Sequence, residues 1–167
     1  MPNNKTTNPI SYNIAVGKCF NSIAEGCKEF GLTPVKRGWI TLAGARFENA
    51  SHPDPDLKDV TLWFPSTKNN YWNNTPNKGV IVETPKDITK NQNQVNKYLN
   101  HYELRITFLK DKSKYCFVGA FELDPVETKK KNQCVWKRVL PAFSSDLHEI
   151  KNYLSKRCGA TIINKTK

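Results

Sequence analysis

Long apolar runs are missing from this sequence. No stretch approaches the roughly 18 apolar residues of a membrane-spanning helix, and the segment Met1 to Asn8 is polar, without the apolar centre of a secretion signal. A soluble intracellular protein is expected, cytoplasmic or nucleoid-associated. Paired-cysteine motifs are missing too. Cys19, Cys27, Cys116, Cys134 and Cys158 are odd in number, sit among apolar neighbours and show no C-x-x-C spacing, so they read as buried thiols and not as zinc ligands. His52, His101 and His148 are scattered, without the spacing of a metal site. There is no G-x-x-x-x-G-K-[ST] loop, G-x-G-x-x-G turn or G-x-S-x-G elbow, which argues against nucleotide hydrolysis, dinucleotide chemistry and the common serine hydrolase layout. No cofactor is expected. Four N-x-S/T sequons, at Asn4, Asn49, Asn73 and Asn164, read as by-products of 18 asparagines in a chain with no export signal.

Acidic side chains are scarce: 15 Asp and Glu face 26 Lys and Arg, a formal charge of +11. A disordered basic tail is excluded by a composition 38% hydrophobic and 11% aromatic, and 167 residues suffice to bury a core. The charge is unevenly spread. Residues 1–83 hold 9 basic and 7 acidic side chains, residues 84–167 hold 17 and 8, so the halves carry +2 and +9. Such an asymmetry predicts one basic face suited to a polyanion. Within it, Lys110, Lys112 and Lys114 alternate along the chain, Lys129, Lys130 and Lys131 form a run, and Lys137 and Arg138 follow Trp136. Cations interleaved with aromatics suit a strand that binds a nucleic acid, charges on phosphate and rings on bases.

Periodicity organises the chain as one α+β domain over 11–164, after a flexible N-terminus over 1–10. Val16, Cys19, Phe20, Ile23, Cys27 and Phe30 recur at helical steps, predicting a helix over 11–30 with Gly31 as its stop. Strands are predicted over 37–47, 59–64 and 79–83, and a polar loop over 65–78 carries Tyr71 and Trp72. The polar stretch 84–100 reads as a long connection. A hairpin turning at Asp111-Lys112-Ser113 joins strands over 102–109 and 115–123; the second is apolar on both faces and should be central, with Gly119 marking a bulge. A charged loop over 124–132 leads to its antiparallel partner, 134–139. A last helix, capped by Ser144 or Ser145, should run through Arg157 to a stop at Gly159, with an edge strand over 160–164.

The enzyme reading best supported by the residues is a metal-dependent nuclease using Asp59, Glu83 and Lys86, carboxylates on adjacent short strands being able to hold Mg²⁺. Its spacing is Glu-x-x-Lys, however, and the extra residue sends the two side chains to opposite strand faces. Glu103 with Arg105, and Glu122 with Asp124, keep the two-residue step without a Lys and read as solvated strand faces. A third reading is a protein-interaction or inhibitor module.

The segments Gly38-Trp-Ile-Thr-Leu42, Tyr115-Cys-Phe-Val-Gly-Ala-Phe-Glu-Leu123 and Val135-Trp-Lys-Arg-Val139, between an early and a late helix, resemble the PUA-like superfamily of small β-barrels, which includes PUA, ASCH, EVE, YTH and SRA domains. The resemblance covers about residues 11–160. It implies a small curved mixed or antiparallel β-barrel with an N-terminal and a C-terminal helix, and it implies binding of DNA or RNA over turnover. It also implies a modified or flipped base in an aromatic pocket, for which Trp39, Trp63, Tyr71, Trp72, Tyr115 and Trp136 are candidates. A role as an accessory of a restriction or defence system follows from the same likeness.

Overall fold

A computed structural model describes residues 13–32, 39–42, 55–65, 72–75, 79–85, 87–144 and 146–165. The N-terminus 1–10, the strand extension over 43–47, His52, Tyr71 and Lys86 lie outside the described residues.

The centre is the hairpin of β7 (Leu104–Asp111) and β8 (Lys114–Leu123). Lys112, at φ 54°, turns the chain between them. On one side β7 pairs in parallel with β4 (Val60–Trp63), which carries the antiparallel edge strand β3 (Trp39–Thr41). On the other, β8 pairs antiparallel with β9 (Cys134–Leu140), followed by β6 (Val80–Glu83) and β5 (Trp72–Thr75). The short β2 (Cys19–Phe20) takes the start of β8, and β1 (Asn13–Ala15) pairs apart with β10 (Ala142–Ser144). The sheet is therefore mixed. Among the described residues its ends, β3 and β5, are not joined, so no closed barrel is formed there.

Gly119 does what its place in an apolar strand suggested. Its φ is 118°, and the pairing register shifts beside it on both neighbours, between Thr107 and Phe108 and between Ala120 and Phe121. A Cβ there would stand 2.8 Å from the Leu140 carbonyl oxygen. The bulge bends the sheet while keeping both faces buried.

Adjacent residues on the strands feed opposite faces. Leu62, Phe64, Leu104, Ile106, Phe108, Phe117 and Ala120 enter one core with Phe20, Phe30 and Phe143. Phe108 packs there between stacked Phe64 and edge-on Phe20. Trp63, Leu109, Phe121 and Trp136 enter a second core on the other face, covered by Val95, Tyr98 and Leu99 of a helix.

The helices differ most from the sequence expectations. The first, α1 (Ile23–Glu29), is far shorter than 11–30. Ser22 Oγ accepts from the Glu25 N–H while Glu25 Oε2 accepts from the Asn21 N–H, a start signal inside the periodic run. Gly17, at φ 101°, breaks the helix before it, and Ile14 and Phe20 reach the same core from strands. The stop at Gly31 stands, at φ 68°.

The polar stretch 84–100 folds into α2 (Asn91–Asn100), and the loop over 65–78 contains β5. The charged stretch 124–132 is α3 (Pro125–Lys131): Asp124 Oδ1 accepts from the Val126 and Glu127 N–H groups, Pro125 opens the first turn, and Asn132 at φ 52° ends it. Lys129, Lys130 and Lys131 thus sit in a last turn, where cations complement the helix dipole. At the start of α4 (His148–Lys165) Asp146 Oδ1 accepts from the His148 N–H; Ser145 lies outside the described residues. That helix runs through Gly159, which costs a helix about 1 kcal/mol but does not end it, and it replaces the edge strand expected over 160–164. Among the described residues no helix is long and apolar enough to cross a membrane.

The cysteines whose side chains are described divide in two, that of Cys158 lying outside them. Cys27 and Cys134 are buried thiols as expected, whereas Cys19 and Cys116, 97 residues apart, form a disulfide. Pairing of β2 with β8 brings them opposite each other, a proximity that their apolar sequence neighbours do not encode.

Two outcomes follow from this architecture. Gly119→Ala should lower the unfolding free energy in urea by roughly 2 kcal/mol, since it adds a backbone clash to an unfavourable φ; an unchanged midpoint would remove the bulge argument. Burial first, then the neighbouring Glu83 carboxylate, pushes the Cys134 thiol up to about 12. Its thiolate fraction at pH 8 is then roughly one in ten thousand. Iodoacetamide should leave Cys27 and Cys134 unmodified in the folded protein and reach Cys19 and Cys116 only after reduction, as read by peptide mass mapping.

Candidate nucleic-acid interface

Alternation along β7 places Glu103, Arg105 and Thr107 on the same sheet face as Trp63 and Trp136. Because β7 is an interior strand covered on both sides, these polar side chains are buried and must find partners within the protein. Arg105 is 1% exposed, Glu83 6% and Glu103 7%. The Arg105 guanidinium joins the two carboxyl groups, with Nη1 2.5 Å from Glu83 Oε2 and Nε 3.1 Å from Glu103 Oε1. Its planar carbon lies 3.7 Å from the Trp136 ring centroid, 4.5 Å from that of Trp63 and 4.8 Å from that of Tyr98. Three rings facing a desolvated cation add cation–π attraction to the two ion pairs.

Further donors complete the carboxylates. Trp136 Nε1 donates to Glu83 Oε2 at 2.8 Å, and the Gln94 side-chain amide of α2 donates to Glu83 Oε1. Trp39, 44% exposed on the edge strand, donates its indole N–H to Glu103 Oε1 at 3.0 Å. Burial works against the Arg105 charge, but the attraction of Glu83 and Glu103 prevails and raises its pKa. Burial pushes the Tyr98 hydroxyl up to about 12, with Arg105 pulling the other way. One cation therefore serves two carboxyl groups, in a site walled by rings and rich in hydrogen-bond acceptors.

Glu83 closes β6 and stands opposite Trp72 of β5 in the pairing register. Of the aromatic candidates, Trp63 and Trp136 meet around Arg105, their ring centroids 6.2 Å apart, and Trp39 joins them through Glu103. Trp72 is placed by its backbone alone, and Tyr71 lies outside the described residues. Tyr115 does not belong to this group: it packs into the other core, edge-on to Phe64. The bulge accounts for this, because the extra residue in β8 resets which face the residues around the hairpin turn address.

The basic candidates are also divided. Lys110, Lys112 and Lys114 cluster at the β7–β8 turn, with Lys110 Nζ 5.7 Å from the Tyr115 ring. Lys129, Lys130 and Lys131 are exposed on α3, beyond the opposite end of β8. The strand between the two groups has 10 residues, about 30 Å of path. Lys137 and Arg138 sit half-buried on β9, where Arg138 Nε donates to the Val118 carbonyl. The nuclease set is not assembled as expected. Glu83 is engaged by Arg105, Trp136 and Gln94, Asp59 precedes β4, Lys86 is outside the described residues, and among the described residues no group of three His, Cys, Asp or Glu side chains is placed to hold a metal ion.

Glu103 and Arg105, read from sequence as a solvated face, are buried, and Gln94 and Tyr98 were not singled out at all. Their burial follows from strand order: β7 lies between β4 and β8, so a Glu-x-Arg pair on it cannot remain solvated, and no local pattern signalled that flanking. Glu122 is likewise held, accepting from the Tyr102 hydroxyl at 3.0 Å, while Asp124 is spent on the α3 cap.

The model of the SET and RING associated (SRA) domain matches residues 40–144, a span containing Glu83, Gln94, Glu103, Arg105 and Trp136. Among solved structures, the 5-hydroxymethylcytosine-specific restriction enzyme AbaSI superposes with a TM-score of 0.56 at 28% sequence identity. The match covers 78% of this chain and 42% of that enzyme, so the chain spans less than half of AbaSI. No curated protein matches the chain.

Arg105→Met should cost about 3–5 kcal/mol of stability, because it leaves two buried carboxyl groups without their cation. Urea unfolding measures this; a loss within about 0.5 kcal/mol, typical of a surface site, would show that the cluster is not what it is described to be.

Proposed function

We propose that this chain, which belongs to the SRA domain family of the PUA-like superfamily, is a DNA-binding module that takes a modified cytosine, swung out of the duplex, against Glu83. The carrying observation is the buried Glu83 carboxylate at the end of β6, held by Arg105 and Trp136 on one oxygen and met by Gln94 on the other, within the matched span. A cytosine presents an exocyclic amine donor at the edge where thymine presents an oxygen, so a fixed acceptor favours the former. Enzymes that act on a single base extrude it into such pockets and stack it on aromatic rings. In this reading Trp63 and Trp136 form the back wall and Trp39 is the candidate ring nearer the duplex, while Tyr71 and Trp72 remain candidates from the sequence alone.

Modification of the base is supported by the likeness to AbaSI, whose specificity is for 5-hydroxymethylcytosine. The same likeness supports a place in a restriction or defence system acting on intracellular DNA, as a reader. The lysines at 110, 112, 114, 129, 130, 131 and 137, with Arg138, are the proposed phosphate contacts, and the bend at Gly119 is read as the curvature of a PUA-like barrel. Phosphate contacts of this kind supply affinity that falls steeply with salt, while the pocket supplies selectivity.

Fluorescence anisotropy on duplexes carrying one cytosine, 5-methylcytosine or 5-hydroxymethylcytosine at one position tests this. Micromolar or tighter binding at low salt is expected, with a preference of about tenfold for a modified base; Glu83→Ala should weaken binding to all three duplexes and erase their advantage over a duplex carrying thymine at that position. Absence of binding, or equal binding to all three duplexes, removes the proposal.

A further inference from the structure

The three donors to Glu83 are not equivalent. Arg105 and Trp136 come from sheet strands, are fully buried and share Oε2. Gln94 comes alone to Oε1, from a half-buried position on α2, where its neighbours Gln92, Asn93, Asn96 and Lys97 are exposed. Val95, Tyr98 and Leu99 anchor that helix to the core, so Gln94 is not needed to dock it. Its flexible side chain gives up rotamer freedom to reach the carboxylate.

The primary amide of Gln94 offers the carboxylate the same planar NH₂ donor that the exocyclic amine of a cytosine offers. We propose that Gln94 is a placeholder: in the unliganded protein it occupies the hydrogen-bonding position on Glu83 Oε1 that the base amine takes, and it swings out when the base enters. This rests on the reading of Glu83 as the base acceptor. The device keeps a buried carboxylate satisfied in both states, since an acceptor left empty under the sheet carries a desolvation penalty. It also makes entry an exchange: a base lacking the amine evicts Gln94 without replacing its hydrogen bond. Selectivity is thereby sharpened at the expense of affinity.

A placeholder and a plain structural contact predict opposite signs. Gln94→Ala should lower the melting temperature, because Glu83 loses a donor, yet bind the 5-hydroxymethylcytosine duplex roughly threefold to tenfold more tightly, because the competitor is gone. Its discrimination against a duplex carrying thymine at the same position should narrow. Gln94→Met, close in size and without a donor, should behave alike and replaces the alanine variant if that one does not fold. In the wild-type protein, the ¹⁵N-resolved side-chain amide signals of Gln94 should move toward solvent-exposed values on DNA addition. Unchanged or weaker binding by both variants, or Gln94 signals that stay fixed while DNA binds, overturns the placeholder and leaves the base-reading proposal standing. Failure of the wild-type protein to bind any of the duplexes overturns both.

Discussion

Arg105, a guanidinium almost sealed from solvent, ties together elements that are distant in sequence. It meets Glu83 of β6, Trp63 of β4, Trp136 of β9 and Tyr98 of α2, and through Glu103 it reaches Trp39 of β3. Burying such a group is costly, and the cost is met only if every partner is present together. The cluster therefore behaves as a constraint on the fold: strand order, the packing of α2 and the position of the β5–β6 hairpin must all be correct for the charge to be matched. In the proposed reading it also supplies the base acceptor. A carboxylate fixed by strong donors on one side is rigid on the other, and rigidity at an acceptor is what lets a site distinguish one base edge from another.

The bulge at Gly119 is the second determinant. A flat ten-residue β8 would carry one alternation from end to end. The inserted residue resets it, so Phe117 and Phe108 fill one core while Val118, Leu109 and Phe121 fill the other. That reset is why Tyr115, which reads on paper as one more aromatic of the pocket, lies with Phe64 in the opposite core. It also gives the sheet the bend beside which the charged cluster sits.

Charge is arranged less simply than its tally implies. The excess in the second half of the sequence is real, but the two lysine groups that stand out in it lie at opposite ends of β8, and those of α3 also have a structural reason to be where they are, in the last turn of a helix. Meanwhile Glu83, the glutamate of the possible metal set Asp59, Glu83 and Lys86, is held by the Arg105 guanidinium and the Trp136 indole.

Much of the β architecture was legible from alternation alone. The hairpin turning at Lys112, the central place of β8, the bulge at Gly119 and the β9 partner all follow from local patterns, because strand alternation and turn chemistry are short-range properties of the chain. Helix ends were less legible: Ser22 with Glu25, and Asp124 with Pro125, were the true start signals, but a longer apolar periodicity and a run of lysines masked them. What only the tertiary structure decided is which residues distant in sequence meet. The Cys19–Cys116 pair, the burial of Glu103 with Arg105, and the contact of Gln94 with Glu83 depend on strand order and on which sheet face a helix covers. These are set by the packing of the whole core, and no local pattern of residues encodes them.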